Sequence, residues 1–325
     1  MDNNLENLKN GIEIPEILTG MIKVVGVGDR GVYTINYLRK TSCIGLGIAV
    51  FDASAGSSNS GLKSNKTQLN SGVNSSVLEN CDLNGKKYYV GDNLHEIVDE
   101  KTKIIFIIAE HTDAKAIDII AEFAKNKEVI SLAIVIAAAE QGGVKTSKLV
   151  LCQNSLLPNP LDSLLVINTA TLKKVYGNLS LEEQSLKINE TIKEAIKNII
   201  ENVIVFSRVN IDDDKEPDFD DIRAVLCNSA NVFVGSAKAT GPNRAEAAVI
   251  SALKGSLLLK SKIEGAQNIL LAISSGKVEI TIDEIGEIND YVQNETGHCS
   301  NIVMGVSEDL TLEDAIAVNI LATGF

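Results

Sequence analysis

A chain of 325 residues, 45% hydrophobic and 22% charged, is long enough for two domains, each with its own core. Its net charge of −13 argues against a protein that grips nucleic acid or an anionic membrane, since both would repel it at long range. No segment reaches the ~20 apolar residues that a membrane span needs, and the acidic start MDNNLENLKNGIEIPEILTG is unlike a signal or transit peptide, so the cytoplasm is the expected compartment. Aromatic residues make up 4% and Trp is absent, which leaves a core of Ile, Leu, Val and Ala suited to buried parallel strands. The cysteines at 43, 81, 152, 227 and 299 form no C-x-x-C pair and read as reduced thiols.

Residues 1–20 read as an N-terminal extension. The first strand and helix come next in IKVVGVGDRGVYTINYL, residues 22–38, where Gly26, Gly28 and Gly31 spell G-x-G-x-x-G. Asp52 ends the next apolar run, GLGIAVFD. That combination fits the fingerprint of a dinucleotide-binding protein, and equally the remnant of another phosphate loop. Strands are predicted at Ile22–Val27, Leu46–Phe51, Lys103–Ala109, Ile130–Ala137 and Ser163–Ile167, with helices ending at Lys40 and over 116–126. Short β-rich runs alternating with helices predict a parallel sheet of βαβ units. The Ser, Asn and Gly-rich stretch 53–76 has nothing periodic to bury and is predicted as an exposed loop. After the strand KIIFIIA the chain reads EHTDAKAIDIIAEFA, with no glycine between Phe106 and Lys127 and with Thr112 or Asp113 placed to cap the helix.

Residues 180–203 carry the clearest helical period: Leu181, Ile188, Ile192, Ala195, Ile196 and Ile199 fall on one face, and Ser180 with Glu183 forms a capping box. Six turns span roughly 35 Å. Beyond it, a helix from Arg244 precedes strand-like runs at Asn268–Ile273, Val278–Ile282, Asn301–Val306 and Ala315–Leu321, with a further helix in DEIGEINDYVQN. This is the pattern of a second, α+β domain.

Other chemistry is sparse. The acidic run NIDDDKEPDFDD fails as an EF-hand loop because Pro217 stands where the turn needs Gly, and reads as a solvated loop. The histidines at 95, 111 and 298 have no metal-ligand spacing, and no G-x-S-x-G nucleophile motif occurs. No metal site is expected.

Several separated motifs, in order, resemble bacterial FtsZ of the tubulin/FtsZ superfamily. Gly241, Asn243, Arg244 and Ala245 fit that family's Gly-x-Asn/Asp-Arg-Ala motif, and Gly265, Ala266 and the run Ile269–Ile273 fit its next strand. The ending NIVMGVSEDLTLEDAIAVNILATGF is similar to the last hairpin of the family's core. Asp218, Phe219, Asp221 and Arg223 fall on its synergy loop and the helix after it, with Glu216 replacing the usual Asn. Asn189 and Glu190 stand where an Asn-Asp pair of the central helix meets guanine. The resemblance implies the tubulin/FtsZ fold: an α/β, Rossmann-like nucleotide-type domain over 21–179, a long central helix over 180–204, and an α+β C-terminal domain over 205–325.

The resemblance also implies functional residues, and departures from them. Gly26, Gly28 and Gly31 match part of the family's first phosphate loop, but Asp29, Arg30, Val32 and Tyr33 replace three glycines and an Asn. Glycines there let the backbone close on a phosphate. At ~5 Å and an effective dielectric of ~20, Asp29 would cost roughly 3 kcal/mol against each phosphate charge. The Gly-Gly-Gly-Thr-Gly-Thr-Gly signature due after KIIFIIA is absent, and the third phosphate loop is unrecognisable within 53–76.

In FtsZ filaments the synergy-loop acids of one subunit reach the nucleotide of the next, which assigns that catalytic role to Asp218 and Asp221. The chain ends at Phe325, where the family's core ends, so the tail that recruits membrane tethers is not expected. The resemblance and its departures together imply an FtsZ-like cytoskeletal protein that forms or modulates filaments through self-association or an active FtsZ-type partner. It is expected to lack an ordinary bound cofactor, with no nucleic acid and no direct membrane binding. The alternatives are an active GTPase holding GTP or GDP in a remodelled pocket and an NAD-binding oxidoreductase.

Overall fold

The computed structural model describes residues 12–41, 43–51, 89–91, 94–137, 160–169, 176–177, 179–209, 219–227, 229, 232–254, 263–298 and 300–325. It divides into two compact units, Met1–Val135 and Ile136–Phe325.

In the first unit the strands are β1 (Ile12–Glu13), β2 (Ile22–Val27), β3 (Cys43–Ile44), β4 (Gly47–Phe51), β5 (Tyr89–Gly91), β6 (Ile104–Glu110) and β7 (Ile130–Ala137). Helices α1 (Gly28–Lys40), α2 (Leu94–Ile97) and α3 (Ala114–Asn126) lie between them. The main sheet runs β5-β4-β2-β6-β7. Its pairings β2/β4, β2/β6 and β4/β5 are parallel, with Val24 opposite Ile48 and Phe106. Strands covered on both faces need apolar residues at every position rather than alternately. Accordingly β2 and β7 are buried from end to end. The one charged residue within β2, Lys23, reaches Asp99 at 2.7 Å, and Asp99 also accepts from the backbone and hydroxyl of Thr102. Part of the stretch read as an extension packs into this unit: β1 pairs with β3, and Ile12, Ile14 and Leu18 are buried.

The second unit holds β8 (Ser163–Asn168), α4 (Leu181–Val209), α5 (Asp220–Leu226), β9 (Val232–Ala239), α6 (Arg244–Lys254), β10 (Asn268–Ser275), α7 (Ile282–Thr296), β11 (Asn301–Glu308) and β12 (Ile316–Thr323). Ser180 caps α4 as predicted, accepting from the Glu183 N–H while its own N–H donates to the Glu183 carboxylate. The helix runs on to Val209, past the predicted end, because Val203, Val205 and Phe206 keep its apolar face buried.

Four strands form a sheet of order β11-β10-β12-β9, in which β10 and β11 are parallel and the other pairings antiparallel. Alternate residues Ile269, Leu271 and Ile273 of β10 pack with Ala245, Ala248 and Val249 of α6 and Ile288 of α7. The opposite face of the sheet meets α4 and α5. There Gly305 of β11 lets α4 approach: a Cβ would lie 2.8 Å from Val205.

Two predictions are corrected here. Val278–Ile282 is not a strand; Thr281 caps α7 in a capping box with Glu284, and Ile282 is its first residue. The carbonyls of Val278 and Glu279 accept from Arg244, which withdraws them from any ladder. The fourth strand is instead β9, VFVGSAKA, whose second half carries small residues and little apolar period.

Candidate functional site

Two of the three glycines make a close crossing of β2, α1 and β6. A Cβ on Gly26 would fall 2.6 Å from the Gly31 carbonyl and from Ile35, and one on Gly31 would fall 2.7 Å from the Ile108 carbonyl. Real Cβ atoms do not tolerate such approaches, so both positions are explained by packing alone. Gly28 is different. It opens α1 with φ at +65°, a conformation that L side chains rarely adopt, and what lies above it is the carboxylate of Asp113.

Asp113 reaches that place through the local structure after β6. Residues His111–Asp113 form a 3-10 turn before α3, and the Asp113 carboxylate turns back to accept from the Glu110 N–H at 3.3 Å. The sequence offered Asp113 as a cap for the next helix. Its side chain caps the 3-10 turn and leaves α3 without a side-chain cap. Because β2 and β6 are parallel neighbours, the turns after them meet at one edge of the sheet. Oδ2 lies 2.8 Å, and Oδ1 and Cγ 3.2 Å, from the point a Gly28 Cβ would occupy.

The turn is anionic. Burial raises the Asp113 carboxyl above its ordinary range; the Glu110 N–H opposes that, and the charge of Asp29 adds to it. Burial lowers Arg30, while Tyr33 and Glu110 pull the other way, and its guanidinium sits 5.4 Å from the Tyr33 ring centre. At this turn, then, a carboxylate stands over the glycine, with the charge of Asp29 acting on it and the Arg30 guanidinium near Glu110. Sequence reading found the glycines and Asp29 but not the contact of Asp113 with Gly28, which only the strand order reveals.

Asn189, Glu190 and Asp221 belong to the second unit. Asn189 is 1% exposed, so its amide is inside the protein and not on the wet side of α4. Glu190 pairs with Lys187 one turn back at 2.6 Å, and the Lys187 ammonium lies 5.3 Å from the Tyr176 ring centre. Phe219, Ile222, Val225 and Leu226 bury one face of α5, and the exposed Asp220 and Asp221 stand in its first turn, where negative charge suits the helix dipole. Asp218, the stretch 53–76, Asp52 and the acids from Asp212 to Glu216 lie outside the described residues. Among the described residues no group of three His, Cys, Asp or Glu is placed to hold a metal ion, and no helix is long and apolar enough to cross a membrane. Cys227 is a free thiol pushed up to about 12 by burial and by Asp162, so it stays protonated at neutral pH.

Sequence reading also gave no role to Arg244, which proves to be a buried clamp. Its guanidinium holds the Glu284 carboxylate at 2.7 and 3.0 Å and donates to the carbonyls of Val278, Glu279 and Asp314. One residue of α6 thus ties down the start of α7 and the turn before β12.

Comparison with known proteins gives consistent results. Residues 229–325 match the FtsZ family, C-terminal domain. The cell division protein FtsZ of Azotobacter vinelandii is 24% identical over 312 residues, covering 94% of this chain and 77% of that protein. FtsZ of Wigglesworthia glossinidia brevipalpis is 25% identical over 317 residues, covering 94% and 79%. Among solved structures, an empty FtsZ dimer of M. jannaschii superposes with a TM-score of 0.59 at 20% identity, over 99% of this chain and 91% of that one. The GDP-bound monomer of CetZ1 from Haloferax volcanii gives 0.59 at 15% identity, over 94% of each chain. Residues 229–325 thus carry an FtsZ-type C-terminal domain, and over nearly all its length the chain is similar in sequence to FtsZ and has the fold shared by FtsZ and CetZ.

Proposed function

We propose that this chain is a cytoplasmic, FtsZ-like cytoskeletal protein that forms or modulates filaments without ordinary GTP binding and hydrolysis. The observation that carries this reading is the Asp113 carboxylate over Gly28, flanked by Asp29 and Glu110, at the turn where the resembling family holds phosphate. Each of these carboxylates repels a polyphosphate, and the repulsion is strongest where water is thinned out by burial. The partner expected is a second copy of the chain or an active FtsZ-type protein, which the exposed acids of α5 would meet. Asp218 and Asp221 are assigned as the acids offered to such a neighbour.

The test combines electron microscopy and sedimentation of the purified chain with GTP, with GDP and with no nucleotide, alone and mixed with an active FtsZ. Filaments of the same abundance in all three conditions, or altered filaments of the active partner, are expected. Assembly that demands GTP, or micromolar GTP affinity by calorimetry, supports the rival reading of an active GTPase with a remodelled pocket.

A further inference from the structure

The first unit presents the outline of a ligand crevice. Its sheet order β5-β4-β2-β6-β7 changes direction between β2 and β6, since the chain winds from β2 out to β5 and then returns to β6 on the other side. In open α/β sheets such a switch point, at the carboxyl ends of the strands, is where ligands settle. A 13-residue helix, α1, begins there directly from the Gly28 turn, and its N-cap residue, Val27, supplies no side-chain acceptor. The first N–H groups of any helix lack intrahelical partners, and their dipole favours an anion.

We infer that Asp113 is a built-in block at this switch point, its carboxylate standing where the phosphate of a nucleoside diphosphate would otherwise approach the Gly28 turn. The inference rests on the function proposed above and gives its loss of nucleotide a single principal cause. The carboxylate lies flat against the glycine, all three of its outer atoms within 3.2 Å of the missing Cβ position. The Glu110 N–H donates to it there at 3.3 Å, which favours this placement of the side chain. An internal carboxylate holds that space with a negative charge, at a local concentration no solute can match. Asp29 and Glu110 add charge but are secondary, because neither is the group that fills the space over Gly28.

The experiment measures GDP and inorganic pyrophosphate binding by calorimetry, for the full chain and for Asp113→Ala and Asp113→Asn. Ligand-induced shifts in thermal midpoint serve as a second readout. The natural chain is expected to show no binding at about 1 mM ligand. Asp113→Ala, which removes both bulk and charge, is expected to gain at least about tenfold in affinity. Asp113→Asn, which keeps the bulk and an acceptor for the Glu110 N–H, is expected to gain less and to fold even where the alanine variant does not. A natural chain that binds GDP at micromolar concentration overturns the block and the proposed function together. A natural chain that fails to bind, alongside folded variants that bind no better, overturns the block alone and leaves the proposed function standing.

Discussion

At the scale of residues, the three glycines of the GxGxxG turn separate by what presses on them. Gly31 faces backbone atoms of Gly26 and Ile108, whereas the three atoms nearest a Gly28 Cβ all belong to the Asp113 side chain. An alanine at 28 therefore carries two costs: the strain of φ at +65°, about 1–2 kcal/mol for an L residue, and collision with a carboxylate 2.8 Å away. Deleting the carboxylate removes the second cost and leaves the first. Gly28→Ala is thus expected to destabilise the chain less in an Asp113→Ala background, with a coupling on the order of 1 kcal/mol in a double-mutant cycle read from denaturation midpoints. Gly31→Ala is the control; it should cost about 1–3 kcal/mol through backbone overlap in either background. Strict additivity of the Gly28 and Asp113 substitutions would show that the carboxylate does not rest on the glycine.

At the scale of elements, the second unit depends on the Arg244 clamp between α6 and α7. Arg244 is 5% exposed, and its guanidinium makes five hydrogen bonds in a planar fork that a lysine ammonium cannot reproduce. Arg244→Lys should cost about 2–3 kcal/mol, mostly from carbonyls left unpaired. It should also change the acid limb of stability. Hydrogen bonds from Arg244 hold Glu284 at about 2, well below its ordinary 4.5, so the pair's contribution is complete above pH 4.5 and is lost as pH falls toward 2. Denaturant midpoints followed by far-UV circular dichroism across that window should fall more steeply for the natural chain than for the variant; parallel curves would remove Glu284 from the account.

The same two regions mark what the sequence disclosed and what it hid. Four of the five strands in the first unit's main sheet, β8, the capped central helix and three of the four C-terminal strands were visible because each is a continuous apolar run or a clear period. VEITI looked like a strand because alternation alone cannot show that Arg244 takes its carbonyls, and VFVGSAKA was missed because small residues carry little signal. The glycine turn was visible, but Asp113 meets it only through strand order, and no local pattern encodes that.

At the scale of the whole molecule, charge and asymmetry decide how copies meet. A chain of net charge −13 repels its own copies within the Debye length, about 10 Å at 0.1 M salt, so self-assembly should strengthen as salt rises. An active FtsZ-type partner offers a different encounter. On the proposed reading, this chain keeps the acids it would present to a neighbour's nucleotide, Asp218 and the exposed Asp221 of α5, while its own turn is closed by Asp113. On that reading such a subunit would engage a neighbour's nucleotide through α5 and offer no phosphate site in return, which would make it a cap. Asp221→Ala removes one charged contact offered to that neighbour, worth roughly 1.4 kcal/mol or about tenfold in affinity. Co-sedimentation with the active partner in GTP should fall accordingly, while Asp113→Asn, at the opposite function, should leave it unchanged. Co-sedimentation indifferent to Asp221 would place the encounter on another surface and end the capping account.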